Sequence, residues 1–342
     1  MSWESVTLAD ALRLAGTSVA IREEVRYKQL AIQPYPRGIV LKALKSGLEF
    51  PKKRQKLVRA NQFVISKLHV RRGIWGVVPP DLDGGVLSTH HLIFDLHRDL
   101  NADYFAAYLA SLLFRRAAIA ACSPHNRLLL PDFEAISLPL PPAETQAAIA
   151  EVWRCANAAL VHTAEMVAAI ADIKAGVASD LFREINPSWE RKTLGQCAQI
   201  GRGLSGEHAL TLVPPDQIVR SLEVSGDQSN SVGILPGIEL DSHYLFYVLE
   251  NQQQALRDRL VSASPHPENA LRSFPLALPT LYEQRKIATV LEQHDETLVR
   301  LRAEQVALRK LTHGIMQLIF SGTLNMQQII PMLRHFMTTP AF

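Results

Sequence analysis

Apolar and polar residues follow two rhythms along this chain, and the rhythm changes at the same kind of junction twice. After Ala143, positions 149, 153, 156, 160, 163, 167, 170, 174, 177 and 181 carry Ile, Trp, Ala, Leu, Thr, Val, Ile, Lys, Val and Leu. The same alternation of four and three returns with Ile287, Leu291, His294, Leu298, Leu301, Gln305, Leu308, Thr312, Ile315 and Ile319. Such spacing is the seam of a coiled coil, here with polar exceptions. Roughly forty residues at 1.5 Å each predict two helices about 60 Å long. A proline-rich apolar run precedes each of them, LPLPP before the first and LALPT before the second. Proline suits a helix start and is excluded from its interior, so these runs mark the helix N-termini.

The two junctions align without a gap at a constant offset of 138 residues, from Pro141 on Pro279 to Phe182 on Phe320. Gln146 falls on Gln284, Ile149-Ala150 on Ile287-Ala288, Val152 on Val290 and Gly176 on Gly314. A second repeat lies upstream at an offset of 186, where WESVTL (3–8) resembles WERKTL (189–194). The organisation is therefore globule, helix, globule, helix, with the second globule shorter by 48 residues. The expected boundaries are 1–142 and 187–280 for the globules, 143–186 and 281–325 for the helices, and 326–342 for a C-terminal tail.

Inside the first globule, QFVISKLHV (62–70), IWGVVP (74–79) and HLIFDL (91–96) are β-branched or aromatic runs bounded by Gly, Pro or Asp, and predict strands. YFAAYLASLLFRRAAIAA (104–121) has helical periodicity. In the second globule HYLFYVLENQQQALRDRL (243–260) predicts a helix, with Tyr244 opening it as Tyr104 opens the first. What the second globule lacks is the middle: nothing there matches the basic run or VISKLHVRRGIWGVVP. The fold class is α+β, two mixed globules each followed by a long helix.

Composition narrows the function. With 342 residues, 47% hydrophobic and 20% charged, the chain is a globular protein of two or three domains. No apolar window of about twenty residues is free of charge, and the N-terminal MSWESVTLADALRLAG is acidic where a signal peptide is basic. Cys122, Cys155 and Cys197 have neither metal-ligand nor disulfide spacing, which fits a reducing cytoplasm. The net charge of +3 is small, but Lys45, Lys52, Lys53, Arg54, Lys56, Arg59, Lys67, Arg71 and Arg72 cluster between Ala43 and Arg72 against Glu49 alone. Charge of one sign in one segment is the footprint of a polyanion partner, and the alternative is a solvated loop. GRGLSG (201–206) matches a nucleotide-loop pattern but runs into Pro214-Pro215 instead of a helix, so it reads as a turn. No catalytic set, metal set or bound cofactor is expected in this chain.

The tandem of globule and helix, with PLPP-x-x-x-x-Q-x-x-I at the junction, resembles the specificity (S) subunit of type I restriction–modification enzymes. The resemblance spans nearly the whole chain, and it extends to Ser66, Gly73 and Trp75 in a stretch similar to a target recognition domain. It implies two globules that each read half of a split DNA target. It also implies two helices that pair antiparallel, set the spacing and dock methyltransferase subunits. Those partners, not this chain, would hold S-adenosylmethionine, and a motor-nuclease subunit would join for cleavage. The subunit itself would be non-catalytic and cytoplasmic, serving DNA methylation and phage defence. Candidate DNA contacts are Lys52, Lys53, Arg54 and Lys56 for phosphates, and Ser66, Lys67, His69, Arg71 and Arg72 along a strand and turn. His90, His91, Asn126 and Arg127 are further candidates, with Ser264, His266 and Asn269 in the second globule. The expected helix seam is Ile149, Trp153, Leu160, Val167, Ile170, Ile287, Leu291, Leu298, Leu301 and Ile315. The competing reading is a scaffold or inhibitory decoy that binds methyltransferase subunits but has lost one half-site. Position 145 is Thr where the second copy has Glu283, so the copies have diverged.

Overall fold

The computed structural model of the protein describes residues 3–34, 38–68, 70–183, 189–202, 204, 209–213, 217–220, 232–262 and 266–323. The fold is mixed α/β and divides into two compact units. Unit 1 joins Met1–Ala164 to Glu304–Phe342, and unit 2 is Glu165–Ala303. Each long helix therefore gives one part to each unit. The expected tail, 326–342, lies outside the described residues. No described helix is long and apolar enough to cross a membrane.

Unit 1 begins with β1 (Glu4–Thr7), α1 (Leu8–Ala11), β2 (Leu12–Ala15), β3 (Thr17–Ala20), β4 (Arg26–Gln33) and β5 (Gly38–Ser46). It continues with β6 (Arg54–Leu57), β7 (Phe63–Ser66), β8 (Trp75–Val77), β9 (Val86–Leu87) and β10 (His91–Leu96). Then come α2 (Ala102–Leu109), α3 (Leu112–Ala120), α4 (Leu130–Glu134), β11 (Ser137–Leu140) and the 41-residue α5 (Ala143–Arg183). The strands form three sheets: β1-β11, β2-β10-β7-β8 and β3-β6-β9-β4-β5.

The repeated Thr-Leu pair explains how the globule opens. Thr7 caps α1 through a reciprocal box with Asp10, and Leu8 behind it is fully buried. Phe63 and Ile65 of β7 face a core that also holds Phe94, Phe105, Phe114 and Phe133, while Val64 faces a second cluster with Val58 and Ile93. A strand covered on both sides carries no polar alternation, which is why QFVIS reads as a continuous apolar run. The strand ends earlier than expected, because the Ser66 hydroxyl accepts the Leu68 N–H at 3.2 Å and turns the chain. The single helix expected over 104–121 is two helices, because the Ser111 hydroxyl accepts the Phe114 N–H and caps α3.

Unit 2 repeats this plan with fewer parts. Its elements are β12 (Glu190–Thr193), α6 (Leu194–Cys197), β13 (Ala198–Arg202), β14 (Leu210–Val213), β15 (Gln217–Arg220) and β16 (Val232–Pro236). There follow α7 (Ser242–Asn251), α8 (Gln253–Ser262), α9 (Pro267–Arg272), β17 (Pro275–Leu278) and the 40-residue α10 (Leu281–Phe320). The expected helix over 243–260 is thus also divided, at Gln252. The sheet order β13-β16-β14-β15 matches β2-β10-β7-β8, so β14 and β15 occupy the positions of β7 and β8. This corrects the expectation that the second globule lacks any counterpart of that segment. What has no counterpart among its described residues is the five-stranded sheet.

The junction glutamines anchor both helices in the same way. Gln146 accepts the Asn101 N–H at 2.9 Å and donates to the Asp99 and Pro141 carbonyls, each at 3.0 Å. Gln284 accepts the Asp241 N–H and donates to the Glu239 and Pro279 carbonyls. Glu283, absent from the first copy, forms a capping box with Thr280. The expected seam divides by burial. Ile149 and Trp153 belong to the core of unit 1 together with Met316, Ile319 and Phe320, and Ile287 and Leu291 to that of unit 2 together with Ala178. Leu160, Leu298 and Leu301 are buried, whereas Val167, Ile170 and Ile315 are half-buried.

Candidate nucleic-acid interface

The first globule gathers most of its candidate contacts at one corner, and backbone hydrogen bonds hold them there. Lys67 N–H donates to the His90 carbonyl at 3.0 Å, and Leu128 N–H donates to the Lys67 carbonyl at 3.1 Å. A bridge joins Leu68 to Arg127. Three segments distant in sequence thus meet: the turn after β7, the loop before β10 and the loop between α3 and α4. Lys56 enters the same corner from β6, its ammonium donating to the His91 carbonyl at 3.0 Å.

Electrostatics confirm the crowding of charge. Burial pushes the Lys56 ammonium below its ordinary pKa, and the Lys67 charge adds to that effect. Burial also lowers the His91 imidazole; the hydrogen bond to the Ser88 backbone opposes this, and His90 and Lys56 reinforce it. His91 Nδ1 lies 3.1 Å from both the hydroxyl and the carbonyl of Ser88. Arg71 and Arg72 are exposed on a 3-10 turn over Val70–Arg72, which Gly73 closes at φ +72°. That backbone conformation favours glycine. Arg71 is close enough to Cys122 to offset part of the burial that raises its thiol pKa.

Exposure sorts the remaining candidates. Lys52, Lys53 and Arg54 are exposed, but Lys53 is already held by Glu23 at 3.2 Å and by the Gly47 carbonyl at 3.0 Å. Arg54 and Lys56 alternate on β6 and so share a face of the five-stranded sheet. His90 and Arg127 are exposed, whereas Lys67, His91 and Asn126 are half-buried. Ser66 is 7% exposed and serves the turn through its hydroxyl. Asn126 adopts φ +61°, a left-handed conformation that Asn tolerates better than most residues. Trp75 is a core residue, its indole N–H donating to the Leu109 carbonyl. His69 and Ser264 lie outside the described residues. His266 precedes α9 with Nδ1 3.8 Å from Glu268, and Asn269 is exposed on α9.

The sequence reading passed over Arg26 and Lys42, both exposed on the five-stranded sheet at β4 and β5. They lie outside the dense basic run, and only strand pairing brings them onto its sheet. Among the described residues no group of His, Cys, Asp and Glu is arranged to hold a metal ion.

No family model matches the chain, and no curated protein matches it. Solved structures do. The type I restriction–modification S subunit from M. genitalium aligns with TM-score 0.63 and 13% identity over 93% of this chain and 96% of that one. A structure described as the basis of complex assembly and conformational transition of the type I R-M system aligns at 0.50 with 16% identity, over 92% and 96% of the two chains. The HsdS subunit from Thermoanaerobacter tengcongensis covers 94% of this chain and 97% of its own with 18% identity, but its TM-score of 0.43 is too low to argue from. At such identities the likeness establishes the fold alone: this chain is folded as the M. genitalium S subunit is.

Proposed function

We propose that the chain is the DNA-recognition subunit of a type I restriction–modification enzyme, directing catalytic partners without a reaction of its own. The observation that carries this reading is the duplicated plan: two globules of matching sheet order, each locked to a long helix by the same buried glutamine. A split DNA target needs two readers at a fixed distance, and long helices suit a spacer. The fold shared with S subunits over nearly their full length supports it. The basic corner of the first globule supports DNA contact there, with Lys67, Arg71, Arg72 and Arg127 near phosphates and His90 and His91 near base edges. On this reading α5 and α10 pair antiparallel along their length and dock methyltransferase subunits, which carry S-adenosylmethionine. A motor-nuclease subunit would join that assembly for cleavage.

The experiment is selection of duplexes from a random library by the chain together with its methyltransferase subunits, at graded salt. Enrichment of a two-part sequence is the expected result, and recovery of DNA with no sequence in common sinks the proposal. One observation favours a second reading, a scaffold or decoy with a single working reader: unit 2 has no counterpart of the five-stranded sheet among its described residues. Enrichment of one half-site alone would support that reading.

A further inference from the structure

The one charged position in the seam of α5 is Lys174. Its side chain is 12% exposed, and its ammonium donates to Glu250 of α7 and Asp295 of α10, each at 2.8 Å. It also lies 5.1 Å from the Tyr247 ring centroid, and the Tyr247 hydroxyl donates to Asp295 at 2.8 Å. All four residues belong to unit 2.

The repeat supplies the corresponding joint in unit 1, and it is uncharged. The 138-residue offset sets Thr312 in the place of Lys174 and Asn157 in that of Asp295. The capping residues Asn101 and Asp241 align α2 with α7 at an offset of 140, so Ala107 and Ala110 correspond to Tyr247 and Glu250. Thr312 is 3% exposed and its hydroxyl donates to the Leu308 carbonyl at 2.8 Å. Asn157 Oδ1 has no hydrogen-bond partner among the described residues.

We propose that Lys174 addresses the second half of α5 to the α7–α10 socket of the second repeat and bars it from the first repeat of another copy. Two repeats whose seams follow the same spacing could each pair with themselves. In a self-paired assembly of first repeats, Lys174 would meet Asn157, Ala107 and Ala110 of the second copy. At those three positions Asn157 Oδ1 could accept one hydrogen bond from the ammonium, but there is neither a carboxylate nor a ring, and a buried ammonium without a counter-ion is strongly disfavoured. Threonine meets no such penalty, as Thr312 shows. The first repeat is synthesised before the second exists, so selection against self-pairing matters most then. This inference concerns helix pairing and stands whether or not the chain reads DNA.

Two sets of full-length variants test it. Lys174→Thr with Asp295→Asn gives unit 2 the uncharged pair of unit 1. After refolding over a wide range of chain concentration, light scattering should show a dimer fraction severalfold above that of the unsubstituted chain. Conversely, Thr312→Lys should lower the unfolding midpoint, and adding Asn157→Asp should recover most of the loss. An unchanged oligomer distribution in well-folded Lys174→Thr/Asp295→Asn overturns the inference. So does a Thr312→Lys chain that is fully stable alone, or one that Asn157→Asp fails to rescue; these two outcomes decide even if the first variant does not fold.

Discussion

Gln284 holds Asp241 by its backbone: the buried side-chain oxygen accepts the Asp241 N–H at 2.7 Å, while the amide nitrogen donates to the Glu239 and Pro279 carbonyls. Asp241 in turn caps α7 by accepting the N–H groups of His243 and Tyr244. One side chain therefore ties together the start of α10, the loop before α7 and that helix's cap. Gln284→Ala would leave a backbone N–H and two carbonyls without partners. A loss of about 2–4 kcal/mol is expected, with a similar loss for Gln146→Ala, read from denaturant unfolding. A change under half of the lower figure would mean that water replaces the amide.

Neutralising the basic corner should change the salt dependence of DNA binding more than its sequence preference. Each lost phosphate contact lowers the slope of log K against log salt by ~0.9. Lys67→Ala, Arg71→Ala and Arg72→Ala should each show that decrement in gel shifts at graded salt. Lys53→Ala should show less, because Glu23 and the Gly47 carbonyl already engage its ammonium.

Burial holds the His91 imidazole below its ordinary pKa in the free protein. Its unfolded form therefore binds a proton more readily, so His91 favours folding above an ordinary histidine pKa, and that contribution is lost as pH falls from there through the lowered folded value. The negative field of bound DNA would favour the protonated ring, so DNA binding should take up a proton at this site. Affinity should therefore rise between neutral pH and about pH 5.5, and His91→Gln should flatten that rise in a pH series. An equal rise in wild type and variant would assign the proton elsewhere.

Two glycine substitutions should act in opposite directions. A Cβ on Gly47 would lie 1.9 Å from the Arg22 carbonyl oxygen, so Gly47→Ala must shift backbone beside the strand carrying Arg54 and Lys56. Destabilisation by about 2–3 kcal/mol and weakened DNA retention are expected in calorimetry and gel shift. Gly176 lies within α5 with nothing within 4 Å of an added Cβ. Gly176→Ala should raise stability by about 0.5–1 kcal/mol.

Local patterns carried much of this protein in the sequence. The four-three spacing marked both long helices, the prolines marked their starts, and the repeat of Gln146 in Gln284 identified a shared junction. The spacing and the prolines depend on residues within a few turns of one another, where sequence distance and spatial distance nearly coincide, and the repeat needs only the sequence compared with itself. Tertiary structure decided what depends on contacts between distant segments. Ser66 faces inward because a turn requires its hydroxyl, and Lys56 meets His91 because β6 passes beside the start of β10. β14 and β15 take the positions of β7 and β8 without resembling them, because the backbone pairing of β14 to β16 and of β15 to β14 requires no particular side chains. Lys174 likewise reads as a flaw in a seam until Glu250 and Asp295, remote in sequence, stand around it.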